Sequence, residues 1–94
     1  MRTIERSSAF KRDFNRAKAA PRHRNELDSL VSSVVARLAS DQVLPNKNRD
    51  HGLSGEWAGY RECHLKPDLL LIYSKPGTDA LRLVRLGSHS ELFG

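Results

Sequence analysis

Three histidines and one aspartate are the residues of this chain best suited to chemistry: His51, His64, Asp68 and His89. Each histidine lies where a predicted strand or turn ends, beside Gly, Asp or Ser, and such places hold side chains at a surface rather than in a core. An imidazole titrates near working pH, so it can act as a general acid or a general base. This set suits acid/base chemistry on a polymer better than it suits packing.

Cleavage of RNA is a reaction that such a set can perform without a metal. It requires a base for the 2′-hydroxyl proton, an acid for the departing 5′-oxygen, and positive charge near the transition state. Histidines supply the base and the acid, and Asp68 can orient an imidazole or act as the base itself. Arg85 is the candidate for binding phosphate oxygens, and Phe93 the candidate for stacking on an unpaired base.

The histidines and Phe93 could have structural roles instead of catalytic or binding ones. A single histidine is more often structural than catalytic, and we interpret His23, in the basic helical region, in that way. Phe93 could equally plug the core. We predict no metal, because the spacing of the histidines matches no compact ligand motif and strand neighbours Cys63 and His64 point to opposite faces. The same geometry disfavours a Cys/His nucleophile pair.

Length and composition predict one domain over residues 1–94, with 38% hydrophobic and 29% charged residues, as in soluble globular chains. The longest apolar run, residues 69–73, is far shorter than the roughly 20 residues that cross a bilayer. The first residues lack the apolar region of a signal peptide, and the lone Cys63 gives no disulfide framework. A cytoplasmic protein with no membrane partner is therefore expected.

The positive charge is concentrated at the N-terminus. The whole chain carries a net charge of +5, whereas residues 1–24 alone carry eight basic and two acidic side chains. Eleven of the sixteen basic residues are arginines, whose planar fork suits bidentate contact with phosphate. A nucleic acid is the first partner that this predicts, although a solvated basic helix face or an acidic protein partner would explain the same charges.

The periodicity predicts an α+β domain. A short strand over residues 1–6 precedes a helix capped by Ser7 or Ser8, and a clearly amphipathic helix follows over residues 24–39. After a polar loop, strands are predicted over residues 60–65, 69–75 and 80–86, the second apolar on both faces. The N-terminal strand and two helices should pack on one face of a small, mainly antiparallel twisted sheet. His64 would then point to the open face, where the meander brings Asp68 and His89 close to it and His51 can join from its glycine-flanked loop.

The second half of the chain resembles the YafQ branch of the RelE/ParE toxin superfamily. The resemblance runs through Asp50-His51-x-Leu53, Gly55-x-Trp57-x-Gly59-Tyr60-Arg61-Glu62-Cys63-His64, Pro67-Asp68, Leu70-Leu71-Ile72-Tyr73 and Arg85-Leu86-Gly87-Ser88-His89-Ser90-Glu91-Leu92-Phe93. The N-terminal half matches only in its layout of one strand and two helices. Many members carry Trp after the Pro-Asp pair, where this chain has Leu69, which cannot stack on a base as an indole does.

The resemblance implies a RelE-like microbial ribonuclease fold and a metal-independent endoribonuclease, an mRNA interferase toxin of a type II toxin–antitoxin system that cuts mRNA in the ribosomal A site. The family's functional positions fall on His51, His64, Asp68, His89 and Phe93. Its members pair with an antitoxin, usually of ribbon-helix-helix type, through which they contact DNA indirectly. Two alternatives stay open: a non-enzymatic ParE-like toxin that inhibits a DNA topoisomerase, and an RNA-binding module.

Overall fold

The computed structural model describes all 94 residues and contains a five-stranded sheet with the strand order β1-β5-β4-β3-β2. The strands are β1 (Thr3–Arg6), β2 (His51–Gly52), β3 (Arg61–Lys66), β4 (Leu69–Ser74) and β5 (Ala80–Gly87), and the helices are α1 (Ser8–Ala19), α2 (Leu27–Ala39) and α3 (His89–Phe93). Strand β1 pairs with β5 in parallel and every other pairing is antiparallel. The predicted α+β class and the mainly antiparallel sheet are confirmed.

Helices α1 and α2 cover one face of the sheet. Ser7 caps α1 by accepting a hydrogen bond from the backbone N–H of Phe10, as the sequence predicted. Helix α2 begins at Leu27, three residues later than the periodicity suggested, because residues 21–26 form turns after Pro21. The large core lies between this helical layer and the sheet, and it contains residues such as Leu38 and Leu81.

Strand β4 lies at the centre of the sheet and is buried over its first five residues. Leu71 and Tyr73 join the large core, while Leu70 and Ile72 pack on the opposite face with Leu92 of α3. The face away from the helices is therefore not bare, because α3 and the 3-10 turn at Gly55–Trp57 cover part of it. The longest helix has 13 residues, and none has both the length and the apolar character needed to span a membrane.

Candidate active site

Alternation along β3 divides its side chains between the two faces of the sheet. Cys63 and Leu65 belong to the large core beneath the helices. Glu62 and His64, which are out of phase with them, occupy the face that carries α3. The predicted orientation of His64 is therefore confirmed. Burial raises the pKa of the Cys63 thiol to about 12, so this cysteine is not an activated nucleophile at neutral pH.

A buried carboxylate lies between two imidazoles on this face. Backbone pairing of β2 with β3 sets His51 opposite Glu62, and its Nε2 atom lies 3.2 Å from Oε2 of Glu62. Nε2 of His64 lies 3.6 Å from the same oxygen. The Glu62 side chain is only 6% exposed and that of His64 11%, whereas His51 is half exposed. Glu62 thus joins the two histidines into one polar cluster at the edge of the solvent.

The backbone before β2 positions the His51 ring. Arg49 adopts a left-handed conformation (φ 47°, ψ 46°), and its carbonyl oxygen lies 2.7 Å from Nδ1 of His51. Both neighbours of the ring, this carbonyl and Glu62, are hydrogen-bond acceptors, and only a doubly protonated imidazole donates to both. Asp50 anchors the same segment by accepting a hydrogen bond of 2.5 Å from the Tyr73 hydroxyl.

Asp68 and His89 meet at the end of the cluster. Oδ1 of Asp68 lies 3.1 Å from the backbone nitrogen and 3.2 Å from Nδ1 of His89. The hydrogen bond from the His89 backbone, followed by that from its ring, lowers the pKa of Asp68. An ionised Asp68 favours the tautomer in which His89 carries its proton on Nδ1, so Nε2 is the ring nitrogen that faces away from Asp68. The ring centroids of His64 and His89 are 5.8 Å apart. The predicted convergence of His64, Asp68 and His89 is therefore present.

Aromatic side chains border the cluster on the α3 side. Phe93 is 42% exposed, so it does not plug the core. Its ring centroid lies 6.3 Å from that of His89 and 6.1 Å from that of Trp57. Leu69, by contrast, is 1% exposed and belongs to the large core, so it presents no surface next to the histidines. Phe93 is the exposed aromatic ring beside His89 on which a nucleobase could stack.

Arg85 is engaged outside the histidine cluster. Its Nε and Nη2 atoms donate hydrogen bonds of 2.7 and 3.2 Å to Asp13 of α1. Burial disfavours the charge on Asp13, but the hydrogen bonds from Arg85 and from the backbone of Leu86 outweigh it, so the pKa of Asp13 is lowered. The proposed contact of Arg85 with substrate stays a prediction. His23, the fourth histidine, is buried and its Nδ1 has no hydrogen-bond partner, which agrees with a structural position.

Glu62 is the member of the cluster that the candidate set from the sequence lacked. The alternation of side chains along β3 already placed Glu62 on the same face as His64. Its pairing with His51 depends on β2, which has only two residues and therefore no recognisable strand pattern in the sequence. Ligand atoms of Glu62, His64 and His89 lie within 4.8 Å of one another, a set that could hold a metal ion. Glu62 is not among the histidines and Cys63 on whose spacing the expected absence of a metal rests.

A side chain at position 87 would crowd Glu91 at the turn into α3. Ser88 caps α3 in a capping box with Glu91, and a Cβ atom at Gly87 would lie 2.9 Å from Oε1 of Glu91. We expect Gly87→Ala to displace Glu91 and shift α3, which carries His89 and Phe93, so that any activity that depends on these two side chains falls by about tenfold or more. Steady-state cleavage measured beside thermal unfolding checks this. A variant as active as the parent would show that α3 adjusts without moving His89.

The chain is similar to known bacterial toxins over almost its whole length. The family model for bacterial YafQ toxins of type II toxin–antitoxin systems matches residues 2–94. The mRNA interferase toxin YafQ of Escherichia coli K12 is 37% identical over 93 residues, which cover 99% of this chain and 97% of that protein. Among solved structures, the E. coli DinJ-YafQ complex has a TM-score of 0.83 at 34% identity, covering 100% of both chains. A metal-bound toxin from Helicobacter pylori has a TM-score of 0.83 at 45% identity, covering 99% of this chain and 100% of the other.

Proposed function

This chain belongs to the YafQ family, the mRNA interferase toxins of type II toxin–antitoxin systems, and from that premise we propose that it cuts mRNA in the ribosomal A site by acid/base catalysis. The observation that carries the proposal is the meeting of His51, His64 and His89 with Glu62 and Asp68 on one face of the sheet. A ParE-like inhibitor acts by occupying its target and has no need of such a cluster. An RNA-binding module has no need of it either.

The proposed reaction is an attack of the 2′-hydroxyl on the adjacent phosphorus. The O2′–P bond forms and the P–O5′ bond breaks, which leaves a 2′,3′-cyclic phosphate and a 5′-hydroxyl. His89, oriented by Asp68 through Nδ1, would accept the 2′-hydroxyl proton at Nε2. His64, beside it, would donate a proton to the departing 5′-oxygen.

His51 and Phe93 would serve the same step without exchanging protons. His51, whose two ring nitrogens both face acceptors, would supply positive charge near the transition state. Phe93 would stack on a base next to the scissile phosphate, worth about 1–3 kcal/mol per base. Arg85 would add a phosphate contact through the guanidinium nitrogen that Asp13 leaves free. The roles of His51 and Phe93 require the substrate to lie on the face that carries α3.

The metal question has a direct test. Glu62, His64 and His89 fit a metal ion, which would supply Lewis-acid chemistry, yet His64 and His89 are the groups to which the proposal assigns proton transfer. The protein is treated with a chelator to remove bound metal, and the chelator is then removed. We expect this protein to cut mRNA as fast as untreated protein does. Recovery of activity only after Cu²⁺ or Zn²⁺ is returned would contradict the metal-free mechanism.

The ribosome dependence is checked by mapping transcript ends. Purified protein is mixed with translating ribosomes or with the same mRNA alone, and the new 5′ ends are located by primer extension. We expect cuts within the codon in the A site and almost none on free mRNA, with 5′-hydroxyl ends. Intact transcripts alongside arrested growth would instead favour a ParE-like inhibitor.

An antitoxin is the proposed protein partner. The E. coli relative was crystallised with the antitoxin DinJ, and a free nuclease of this kind would damage its host. The basic side chains of α1 offer charge complementarity to an acidic partner segment that folds on binding. A ribbon-helix-helix antitoxin would connect the complex to DNA. Expression from the native operon should yield a co-purifying small partner, and purification of the toxin alone would contradict this.

A further inference from the structure

A basic groove of about 830 Å³ runs beside the candidate active site, between α2 and the segment at Pro45–Arg49. None of its thirteen lining residues is acidic, and four of them are the cations Arg37, Lys47, Arg49 and Lys66. His64 is among the lining residues, and alternation along β3 turns its ring to the α3 face, where the histidine cluster lies. We propose that this groove, which we call the α2 groove, binds the sugar-phosphate backbone of RNA next to the cleavage site. The inference rests on the proposed function and extends its substrate contacts.

Three of the four cations of the groove are free of ion pairs. Arg37, Lys47 and Arg49 are exposed and form no ion pair, whereas Lys66 pairs with Glu26. Of the eight cations in residues 1–24, three are paired with acidic side chains, namely Arg2, Arg16 and Lys18, and the other five form no ion pair. Unpaired charge above a surface without carboxylates attracts a polyanion more strongly than charge that is already neutralised. The α2 groove is therefore a site for phosphate that the count of charges along the sequence did not reveal.

Arg49 connects the α2 groove to the histidine cluster. Its side chain lines the groove, while its carbonyl oxygen contacts Nδ1 of His51 at 2.7 Å. Asn48, the preceding residue, donates a hydrogen bond of 2.7 Å from its side-chain amide to the backbone oxygen of His64. One short segment thus supports two histidines of the cluster and one wall of the groove. The groove lies on the α2 side of the sheet and the cluster on the α3 side, so a bound strand would pass from one to the other around the edge of β3.

The lining chemistry favours RNA over a protein segment. Only three of the thirteen lining residues are hydrophobic and none is aromatic, whereas the centre of a protein interface is enriched in aromatic residues and depleted of charge. Arg, Lys, Ser and Asn are the side chains that contact phosphate and sugar, and Ser29 and Ser33 of α2 add hydroxyl groups to the wall. Contacts of this kind position a strand without reading its sequence.

The test removes two charges from the groove and two from elsewhere. Arg37→Ala/Lys47→Ala is compared with Lys11→Ala/Arg12→Ala, a matched pair of exposed α1 cations that form no ion pair and lie outside the groove. Both are made in the His89→Ala background, so that the RNA stays intact. Binding to a single-stranded RNA oligonucleotide is measured by fluorescence anisotropy over a range of salt concentrations. Binding to 70S ribosomes programmed with mRNA is measured by co-sedimentation.

We expect the groove variant to bind RNA more weakly and with a salt slope reduced by about 0.7 for each lost phosphate contact, while the control keeps the parent slope. Loss on both the oligonucleotide and the ribosome would assign the groove to the mRNA strand, and loss on the ribosome alone to ribosomal RNA. Equal effects of the two variants, or none, would overturn the proposal, as would loss of antitoxin binding with RNA binding intact. Binding is measured without cleavage, so failure of the nuclease function would appear separately in the transcript-mapping experiment.

Discussion

Replacement of His89 by alanine should lower the rate of mRNA cleavage by about 10²–10⁴-fold, the range that a positioned general acid or base contributes. The His89 ring is 57% exposed, and its backbone N–H, which also holds Asp68, is retained in the variant. The thermal unfolding midpoint should therefore change little. Single-turnover cleavage on programmed ribosomes gives the rate, and circular dichroism gives the midpoint. Unchanged cleavage would remove His89 from the mechanism.

A double-mutant cycle separates the catalytic role of His89 from the positioning role of Asp68. Asp68 contacts the cluster through His89, at both the backbone nitrogen and Nδ1. Asp68→Asn should reduce the rate less than His89→Ala does, and the double variant should be no slower than His89→Ala alone. Losses that multiply would instead show that Asp68 acts on the substrate independently, for example as the base.

The sequence predicted where the candidate residues lie better than it predicted which side chains surround them. His64 and Asp68 flank a turn between two strands with strong patterns, so their placement follows from period two and hairpin geometry. Glu62 stayed outside the candidate set, because its role depends on β2, a two-residue strand fixed by tertiary pairing with β3. The engagement of Arg85 with Asp13 joins residues 72 positions apart, and no local pattern encodes such a contact.

The distribution of unpaired charge in the folded protein could also not be predicted by counting charged residues along the sequence. Residues 1–24 hold the excess of basic residues, but Arg2 and Lys18 are paired with Asp41 and Asp28 from later segments. The free cations of the α2 groove come from α2 and the loop after it, in a part of the chain whose overall charge is slightly negative. Local potential depends on which charges remain unpaired after folding, and that is a property of the tertiary structure.

Loss of the Asp13 carboxylate should be the most destabilising change outside the apolar core. Asp13 is 3% exposed and accepts hydrogen bonds from Arg85, from Arg16 and from the backbone N–H of Leu86. Removing one partner of a buried ion pair costs about 3–5 kcal/mol, and partial exposure of Arg85 places Asp13→Ala near the lower end, at about 3 kcal/mol. Urea unfolding at pH 7 measures this difference in the free energy of unfolding.

A surface pair in the same helical layer gives the matched control. Asp28 accepts from Lys18 at 2.8 Å, and both side chains are about half exposed, so Asp28→Ala should change the free energy of unfolding by only about 0–1 kcal/mol. A cost for Asp13→Ala as small as that for Asp28→Ala would show that the buried carboxylate is not needed to hold α1 against β5.

The stabilisation from Asp13 should depend on pH with a defined sign. Its pKa is lowered in the folded state, so the unfolded chain binds the proton more readily. The contribution is then fully present above the unfolded-state pKa of about 3.9 and is lost as the pH falls through the lower folded-state value. The gap between the parent and Asp13→Ala should therefore be constant from pH 7 to about pH 5 and narrow below about pH 4. A gap that widens on acidification would mean that Asp13 is protonated in the native protein.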